Sequence, residues 1–136
     1  MIVPGNTFFL DSGAAKHLFF VVLGPVVFPG YSRPPHFVLV NATTFHKGSW
    51  NDPACVLDAG EHPFIRHKSY IAYRHARIDP QENVERFARQ KLDDCSPVLL
   101  ARIASGLAVS RFTPRFIKEA LRTAESHTAS PPVSGA

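Results

Sequence analysis

The sequence predicts an α+β fold in which a small β-barrel is followed by three α-helices. Before residue 79, five runs rich in β-branched and aromatic residues are separated by Gly, Pro and Asn turn signals. After it, three Asp-Pro, Ser-Pro or Thr-Pro pairs each begin a segment whose apolar residues recur at helical spacing. We therefore expect one domain over residues 1–126, with the barrel in 1–78 and a helical extension in 79–126, followed by a disordered tail in 127–136.

The barrel is predicted from several short strands of regular spacing, which are typical of small closed sheets. The Gly24-Pro25 pair is expected to stop the second strand. The proline-rich segment 28–35 is excluded from the sheet interior because proline has no N–H group to donate. The five predicted strands are residues 7–10, 18–23, 37–44, 55–57 and 64–78.

The last predicted strand, residues 64–78, carries many basic side chains. In an extended strand, alternate side chains share one face. One face would then hold Arg66, Lys68, Tyr70, Ala72, Arg74 and Ala76. His67 would point to the opposite face. This geometry predicts that Arg66 and Lys68 form a paired clamp for a phosphate group.

Each predicted helix begins at a residue that can cap its first turn. Asp79-Pro80, Ser96-Pro97 and Thr113-Pro114 place a capping side chain before a proline, and Glu82 completes a capping-box pattern. We expect Gly106 to help end the second helix. The apolar residues that should face the core are Val84, Phe87 and Ala88; Leu99, Leu100, Ile103, Ala104 and Leu107; and Phe116, Ile117, Ala120, Leu121 and Ala124.

Composition places the chain among ordinary globular proteins, with 45% hydrophobic and 19% charged residues. The net charge of +4 favours an anionic partner. Two cysteines, Cys55 and Cys95, are too few for a disulfide framework, so a reduced, cytoplasmic location is expected. The apolar run 18–28 is about half as long as a membrane-spanning helix and lacks the flanks of a secretory signal, so no membrane association is expected.

Residues 60–77 hold the most informative chemistry in the chain. They contain three of the seven histidines, three arginines, a lysine and two of the three tyrosines, with Glu61 as their only carboxylate. RNA cleavage needs this mixture, because the scissile phosphate is anionic and the attacking 2′-hydroxyl must lose a proton. Histidine suits the acid and base roles, since its ordinary pKa is about 6.5. The plain alternative is a solvated, basic strand edge.

Five segments, taken in order, carry a resemblance to a known family. They read Pro-Gly-Asn-Thr-Phe-Phe at 4–9, Phe-Val-Val-Leu-Gly-Pro at 20–25, Val-Leu-Val-Asn-Ala-Thr-Thr at 38–44, Cys-Val-Leu at 55–57 and Phe-Ile-Arg-His-Lys-Ser-Tyr at 64–70. Their order and spacing resemble the strands of the PemK/MazF-like toxin ribonucleases of toxin–antitoxin systems. The resemblance covers the predicted barrel and not the helices.

This resemblance implies an SH3-like barrel that forms a homodimer, cleaves single-stranded RNA without a metal or other cofactor, and binds a cognate antitoxin protein. It implies that Arg66 stabilises the phosphate and that Thr44 holds it. His17 precedes a position where members have an arginine and this chain has Leu18. Lys16 is the nearest replacement for that charge.

Lys68 stands where members of that family have a carboxylate, so proton transfer would pass to another group. His17 and His62 are the two candidates for the base. The expected catalytic residues are Arg66, Lys68, His17 and Thr44. The expected RNA-binding residues are Lys16, His62, His67, Ser69, Tyr70, Arg74 and Trp50, and no metal ligands are expected.

Other functions stay open on the sequence alone. The substitutions at Leu18 and Lys68 favour a barrel that binds nucleic acid or a partner protein without cutting. The three helices are also compatible with an interaction module that docks a partner. Cys55 and three histidines, His62, His67 and His75, offer zinc-ligand types or a Cys–His nucleophile, but no paired ligand spacing supports a zinc site. Trp50 suits either stacking on a base or folding over the barrel end.

Overall fold

An antiparallel sheet of six strands followed by three helices makes up the fold. The computed structural model describes residues 2–12, 15–28, 30–31, 34–88 and 91–129. The strands are β1 (Thr7–Ser12), β2 (Ala15–Val26), β3 (His36–Thr44), β4 (Val56–Leu57), β5 (Ser69–Ile71) and β6 (Arg77–Pro80). The helices are α1 (Gln81–Phe87), α2 (Pro97–Val109) and α3 (Arg115–Ala129), and a 3₁₀ turn (Tyr73–His75) separates β5 from β6. The α+β class predicted from the sequence is confirmed.

Strand β3 lies inside the sheet and pairs with two strands along one edge. The strand order is β1-β2-β3-β5-β4, and β6 also pairs with β3. In the first half of β3, His36 lies opposite Pro80 and Leu39 opposite Arg77, while its last three residues lie opposite β5. Within the described ranges no ladder joins β1 to β4, so the sheet is open and the predicted closure into a barrel is not shown.

Strand β2 continues past the predicted stop at Gly24-Pro25 and ends at Val26. Its pairing with β3 is irregular there, with register shifts on both sides of Leu23. Gly24 has a φ of +131°, and a Cβ at this position would lie 2.5 Å from the ring of Phe37. The glycine therefore permits a close approach of β2 to β3 and does not end the strand.

A loop, two short strands and a turn replace the single strand predicted over residues 64–78. Residues up to Lys68 form the loop, and β5 and β6 then run antiparallel along the same edge of β3. Thr44 of β3 pairs with Ser69, and Leu39 pairs with Arg77. The two β3 residues are five positions apart, whereas their partners are eight positions apart. The three extra residues match the length of the 3₁₀ turn, which interrupts the strand and breaks the predicted alternation.

The 3₁₀ turn directs Tyr73 into the core. This side chain is fully buried, and its hydroxyl donates to the carbonyl of Ile103 on α2 at 2.7 Å. Gly106 lies beside it, where a Cβ would overlap the tyrosine ring and hydroxyl. Helix α2 continues to Val109, so the prediction that Gly106 ends it is wrong. The glycine is needed because the tyrosine packs directly against the helix backbone.

The two faces of the sheet are covered unequally. On the covered face, Val38, Val40 and Ala42 of β3 belong to a large apolar cluster that includes α2 and α3. On the partly covered face, Phe37 and Leu39 belong to a smaller cluster that includes α1. The buried helix residues in these clusters are Leu99, Ile103, Leu107, Ile117, Ala120, Ala124 and Val84, and Ala88 follows the end of α1.

The predicted apolar stripes of the helices are therefore confirmed in most positions. Phe87, Leu100, Ala104 and Leu121 are partly buried against the same clusters. Phe116 is the exception, because 49% of it is exposed. It lies on the first turn of α3, beyond the edge of the sheet-facing stripe.

Ser96 caps α2 as predicted, but the other two expected caps are wrong. The hydroxyl of Ser96 accepts the N–H of Leu99 at 3.1 Å. Asp79 instead lies in β6, where its carboxylate is 2.8 Å from Nε of Arg77, and α1 has no side-chain cap. The Asp79 carboxylate, which was expected to cap α1, therefore forms an ion pair with Arg77 instead.

Thr113 joins two helices and does not cap α3 with its side chain. Its hydroxyl donates to the carbonyl of Leu107 at 2.8 Å, which ties the start of α3 to the last turn of α2. Helix α3 extends to Ala129, three residues beyond the predicted end of the helical part. The rest of the predicted disordered tail, 130–136, lies outside the described residues.

The segment between α1 and α2 pairs with the amino-terminal strand. The N–H of Leu92 donates to the carbonyl of Thr7 at 2.9 Å, and that of Cys95 donates to Gly5 at 3.0 Å. The hydroxyl of Thr7 donates to the carbonyl of Asp93 at 2.6 Å. Hydrogen bonds therefore join the predicted barrel part of the chain to the helical part.

Among the helices in the described ranges, none is long and apolar enough to cross a membrane. Cys55 and Cys95 are both free and buried.

Candidate functional site

A groove of about 390 Å³ opens where the start of β2, the end of β3 and the loop before β5 meet. We call it the Arg66 groove. Five basic or imidazole side chains line it, namely Lys16, His17, His46, Arg66 and His67. Three hydroxyl groups, from Thr43, Thr44 and Ser69, add neutral donors and acceptors. No carboxylate is among the described residues that line it, so the groove is suited to an anion.

Two strands and one buried anchor place these side chains. The β1–β2 hairpin sets Lys16 opposite Asp11 and His17 opposite Leu10. In the loop, Ile65 is buried, and its N–H donates to the carbonyl of His62 at 2.9 Å. The next two residues, Arg66 and His67, are therefore held at the surface beside a fixed point.

The structure brings together six of the residues predicted for the site. Lys16, His17, Thr44, Arg66, His67 and Ser69 all line the Arg66 groove. Ser69 donates its hydroxyl hydrogen to the carbonyl of His67 at 2.9 Å, which fixes the backbone at that histidine. His67 shares the groove with Arg66, so the prediction that it points away is wrong. The roles of these residues toward RNA stay predictions.

Lys68 lies outside the groove, contrary to the predicted clamp with Arg66. Its ammonium is 4.4 Å from the ring centroid of Phe45, in a cation–π contact, and its carbonyl accepts the Phe45 N–H at 2.8 Å. The clamp prediction assumed one continuous strand through both residues. Because both lie in a loop, alternation does not bring their side chains to the same face.

His62 is part of the interior and does not line the Arg66 groove. It is 1% exposed, its Nδ1 accepts the N–H of Phe64 at 3.1 Å, and its Nε2 lies 2.6 Å from the carbonyl of Asp93. With Nδ1 acting as acceptor, Nε2 carries the hydrogen and donates to that carbonyl. The prediction of His62 as base or RNA ligand is therefore wrong. Of the two histidines considered for the base, only His17 lies at the groove.

A second groove, of about 330 Å³, adjoins the first. We call it the Asn41 groove. It shares His17 and Thr43 with the Arg66 groove and contains two predicted RNA-binding residues, Tyr70 and Arg74. Its other lining residues are Phe19, Asn41, Ala72, His75 and Arg77. His17 thus stands between two grooves on one continuous surface.

Trp50 forms an aromatic cluster beside the Asn41 groove. Its ring is 43% exposed and packs edge-to-face on Phe112, with 4.7 Å between ring centroids, and on Tyr70. The guanidinium of Arg74 lies 4.7 Å from the Trp50 ring centroid. The ring therefore packs over Tyr70 of β5 with almost half of its area exposed, and its stacking on a base stays a prediction.

The sequence patterns did not predict several residues that line the grooves: Asn41, Thr43, His46, His75 and Arg77. One signal for two of them was available in β3. Positions 37, 39, 41 and 43 share one face of this strand, and they change from Phe and Leu to Asn and Thr. Such a change predicts that this face becomes accessible to water halfway along the strand.

The carboxylate of Glu61 is bound to α2 and not to the grooves. It forms an ion pair with Arg102 and accepts the N–H of Asp58 at 2.8 Å. The hydrogen bond from Arg102 is the main reason that the pKa of Glu61 is lowered. The only acid in residues 60–77 therefore stays ionised and away from the cluster of histidines.

Cysteine and metal chemistry find little support in the geometry. Burial raises the pKa of Cys55, and it raises the pKa of Cys95 to about 11. Neither thiol is therefore a ready nucleophile. Within the described ranges, no group of three or more His, Cys, Asp or Glu side chains is arranged to hold a metal ion.

No protein-family model, curated protein or solved structure matches the chain.

Proposed function

We propose that this protein is a metal-independent endoribonuclease that cleaves single-stranded RNA, a divergent relative of the PemK/MazF-like toxins. The observation that carries the proposal is the Arg66 groove. It collects three histidines, Arg66 and Lys16 around one cavity, and no described residue of its lining is a carboxylate. These are the groups that cleavage by the neighbouring 2′-hydroxyl requires.

In the proposed reaction His17 removes the proton from the 2′-hydroxyl. The 2′-oxygen attacks phosphorus, the bond from phosphorus to the 5′-oxygen breaks, and a second histidine gives a proton to that 5′-oxygen. His46 and His67, both exposed at the groove, are the candidates for this acid. The products are a 2′,3′-cyclic phosphate and a 5′-hydroxyl. His17 gains one proton from the substrate and the second histidine loses one to the leaving oxygen, so the protons balance.

Cations and hydroxyls have the supporting role. Arg66 and Lys16 neutralise the negative charge that grows on the phosphoryl oxygens, and Thr44 donates a hydrogen bond to one of them. Divalent ions such as Mg²⁺ prefer carboxylate ligands, which the described lining of this groove lacks. The donor set therefore favours a reaction that uses no cofactor.

The finer fold assignment belongs to the same proposal. An SH3-like barrel is supported by the pairing of β3 with β5 and β6 in succession along one edge, because such pairing suits a strongly bent sheet. A homodimer, a cognate antitoxin and a cytoplasmic location follow from the toxin assignment. Growth arrest on expression of this chain alone, with rescue by a neighbouring gene product, tests that part.

Two departures favour a second candidate, a nucleic-acid-binding protein that does not cut. Leu18, where the family has an arginine, is buried in the core and contributes no charge. Lys68, where the family has a carboxylate, lies outside the groove on Phe45. In this second candidate the same basic surface binds phosphates, and its affinity for RNA falls with added salt.

Product analysis separates the two candidates. Purified protein is incubated with end-labelled single-stranded RNA in the presence and absence of a chelator. The proposed activity gives 2′,3′-cyclic phosphate ends at equal rates in both samples. Salt-sensitive binding without new ends identifies the second candidate, whereas cleavage that the chelator abolishes contradicts the metal-independent mechanism.

A further inference from the structure

The floor of the Asn41 groove holds the side-chain amide of Asn41, which makes few hydrogen bonds within the described residues. Asn41 is 5% exposed, although its side chain lines the groove. Within the described residues its side chain has one hydrogen bond, a long one of 3.4 Å from Nδ2 to the carbonyl of Ala42. An amide has two donor hydrogens and a carbonyl acceptor, and buried polar groups are normally satisfied. The amide therefore has donor and acceptor capacity to offer a ligand.

The position of Asn41 follows from the length of α1. The helix covers the partly covered face over Phe37 and Leu39, which belong to its apolar cluster. Asn41 and Thr43 come next on that face and line the groove instead. Phe19, on the neighbouring strand, lies directly opposite Asn41.

The rim of the Asn41 groove carries basic side chains that differ in how far they are free to bind a ligand. The guanidinium of Arg77 is held by the carboxylate of Asp79 through two contacts, at 2.8 and 3.1 Å. Arg74 lies over the Trp50 ring, and His75 is exposed. Asp79 therefore holds one edge of the Arg77 guanidinium, which offers donors only, whereas the Asn41 amide offers a donor and an acceptor together.

We infer that the Asn41 groove is a base-reading pocket that takes one adenine of a single-stranded RNA. An asparagine amide pairs with adenine by donating to a ring nitrogen and accepting from the 6-amino group. The volume of about 330 Å³ lies near the lower limit for small-ligand pockets and suits one nucleotide. This inference rests on the proposed function, because the adenine is the neighbour of the phosphate in the Arg66 groove.

Single-stranded 2′-O-methyl RNAs, which cannot be cleaved by this mechanism, test the pocket. Each RNA is a run of uridines with one variable base at its centre. This base is adenine, uracil, cytosine or purine, and purine is adenine without its 6-amino group. Fluorescence anisotropy gives their dissociation constants with the wild-type protein. We expect roughly tenfold tighter binding of the adenine RNA, and loss of that advantage when the amino group is absent.

Variants locate the preference in the groove. Asn41→Ala should remove the preference for adenine, while Asn83→Ala, a matched change on α1, should keep it. Arg66→Ala should weaken binding of all four RNAs by a similar factor. The comparison between the adenine RNA and the purine RNA uses the wild-type protein. It therefore still tests the inference if the Asn41→Ala variant does not fold.

The other possible results show which part of the inference is wrong. Equal binding of all four RNAs, still weakened by Arg66→Ala, overturns the base-reading pocket and leaves the proposed function in place. An adenine preference that survives in a folded Asn41→Ala variant places the reading elsewhere and overturns the assignment to Asn41. If neither these oligonucleotides nor natural single-stranded RNA bind, the proposed function fails, and the pocket with it.

Discussion

The two faces of the sheet differ in how much helix covers them. Helices α2 and α3 close the covered face along β3, where Val38, Val40 and Ala42 are buried in the large apolar cluster. On the opposite face α1 has seven residues and is about 10 Å long, whereas the nine residues of β3 span about 30 Å. One short helix therefore leaves the second half of this face open, and the Asn41 groove forms there.

Because of this difference, some residues of β3 contribute to stability and others are placed to bind a ligand. Residues 36–42 of β3 are buried whichever face they lie on, and the strand becomes more exposed at Thr43 and Thr44. The polar residues Asn41 and Thr43 occur only where α1 no longer covers the sheet. Substitutions on the covered face should therefore change the free energy of unfolding, and substitutions around the grooves should change RNA cleavage.

Ile103→Ala should give the largest effect and tests the covered face. The side chain is fully buried at the centre of α2, so its truncation leaves a cavity and should lower the free energy of unfolding by roughly 2–5 kcal/mol. Urea denaturation measures the loss. Val109→Ala on the same helix, where the side chain is 66% exposed, is the control and should change it by about 0.5 kcal/mol or less. Equal effects of the two would mean that α2 does not seal this face.

Arg66→Ala tests the Arg66 groove through activity. Removal of one preorganised donor to a developing charge should slow single-turnover RNA cleavage by roughly a hundredfold to a thousandfold. The free energy of unfolding should stay unchanged, since Arg66 is exposed.

Arg122→Ala is the matched control for that substitution, because Arg122 is an exposed arginine on α3 outside both grooves. It should cleave at the wild-type rate. Lys68→Ala, which changes a lysine outside the groove, should have a smaller effect than Arg66→Ala. Wild-type cleavage by Arg66→Ala would remove the Arg66 groove as the catalytic site.

Gly106→Ala should destabilise the covered face by roughly 1–3 kcal/mol, because the new methyl group overlaps the Tyr73 side chain. Tyr73→Phe removes the hydroxyl, which is the nearest of the overlapping atoms. The double variant should therefore lose less stability than the sum of the two single variants. Thermal or urea unfolding of the four proteins gives the coupling. Strict additivity would contradict direct contact between the two residues.

The ion pair between Glu61 and Arg102 should give the smallest effect. The pKa of Glu61 is lowered in the folded protein, so its contribution is present above its ordinary pKa and is lost as pH falls through the folded value. Because both side chains are partly exposed, we expect less than about 1 kcal/mol. Glu61→Gln should reduce the acid-induced loss of stability in urea titrations. An unchanged pH dependence would contradict this contribution.

Local patterns in the sequence were sufficient to predict the main elements. The apolar spacing of α2 identified Leu99, Ile103 and Leu107 as buried, and Ser96 was recognised as its cap. Both signals arise within one helix and its first turn. The Arg66 groove was predicted in large part, because the resemblance related residues that are distant in sequence.

The errors occur where contacts between distant parts of the chain decide the structure. The break at Tyr73 depends on the carbonyl of Ile103, and the burial of His62 depends on the carbonyl of Asp93. Neither partner is near in sequence, so no periodicity predicts them. Placing Lys68 with Arg66 followed from assuming a continuous strand. A strand pattern cannot show where a three-residue turn interrupts the pairing.

Synthesis from the amino terminus releases β1 long before residues 92–95, which bind to its outer edge. Until they emerge, the carbonyls of Gly5 and Thr7 and the imidazole of His62 lack their partners in that segment. An unpaired strand edge can associate with other chains. A nascent chain therefore passes through a stage prone to aggregation, and a fragment cut at residue 78 would remain at that stage. The chain after residue 78 therefore supplies the hydrogen-bond partners of this edge.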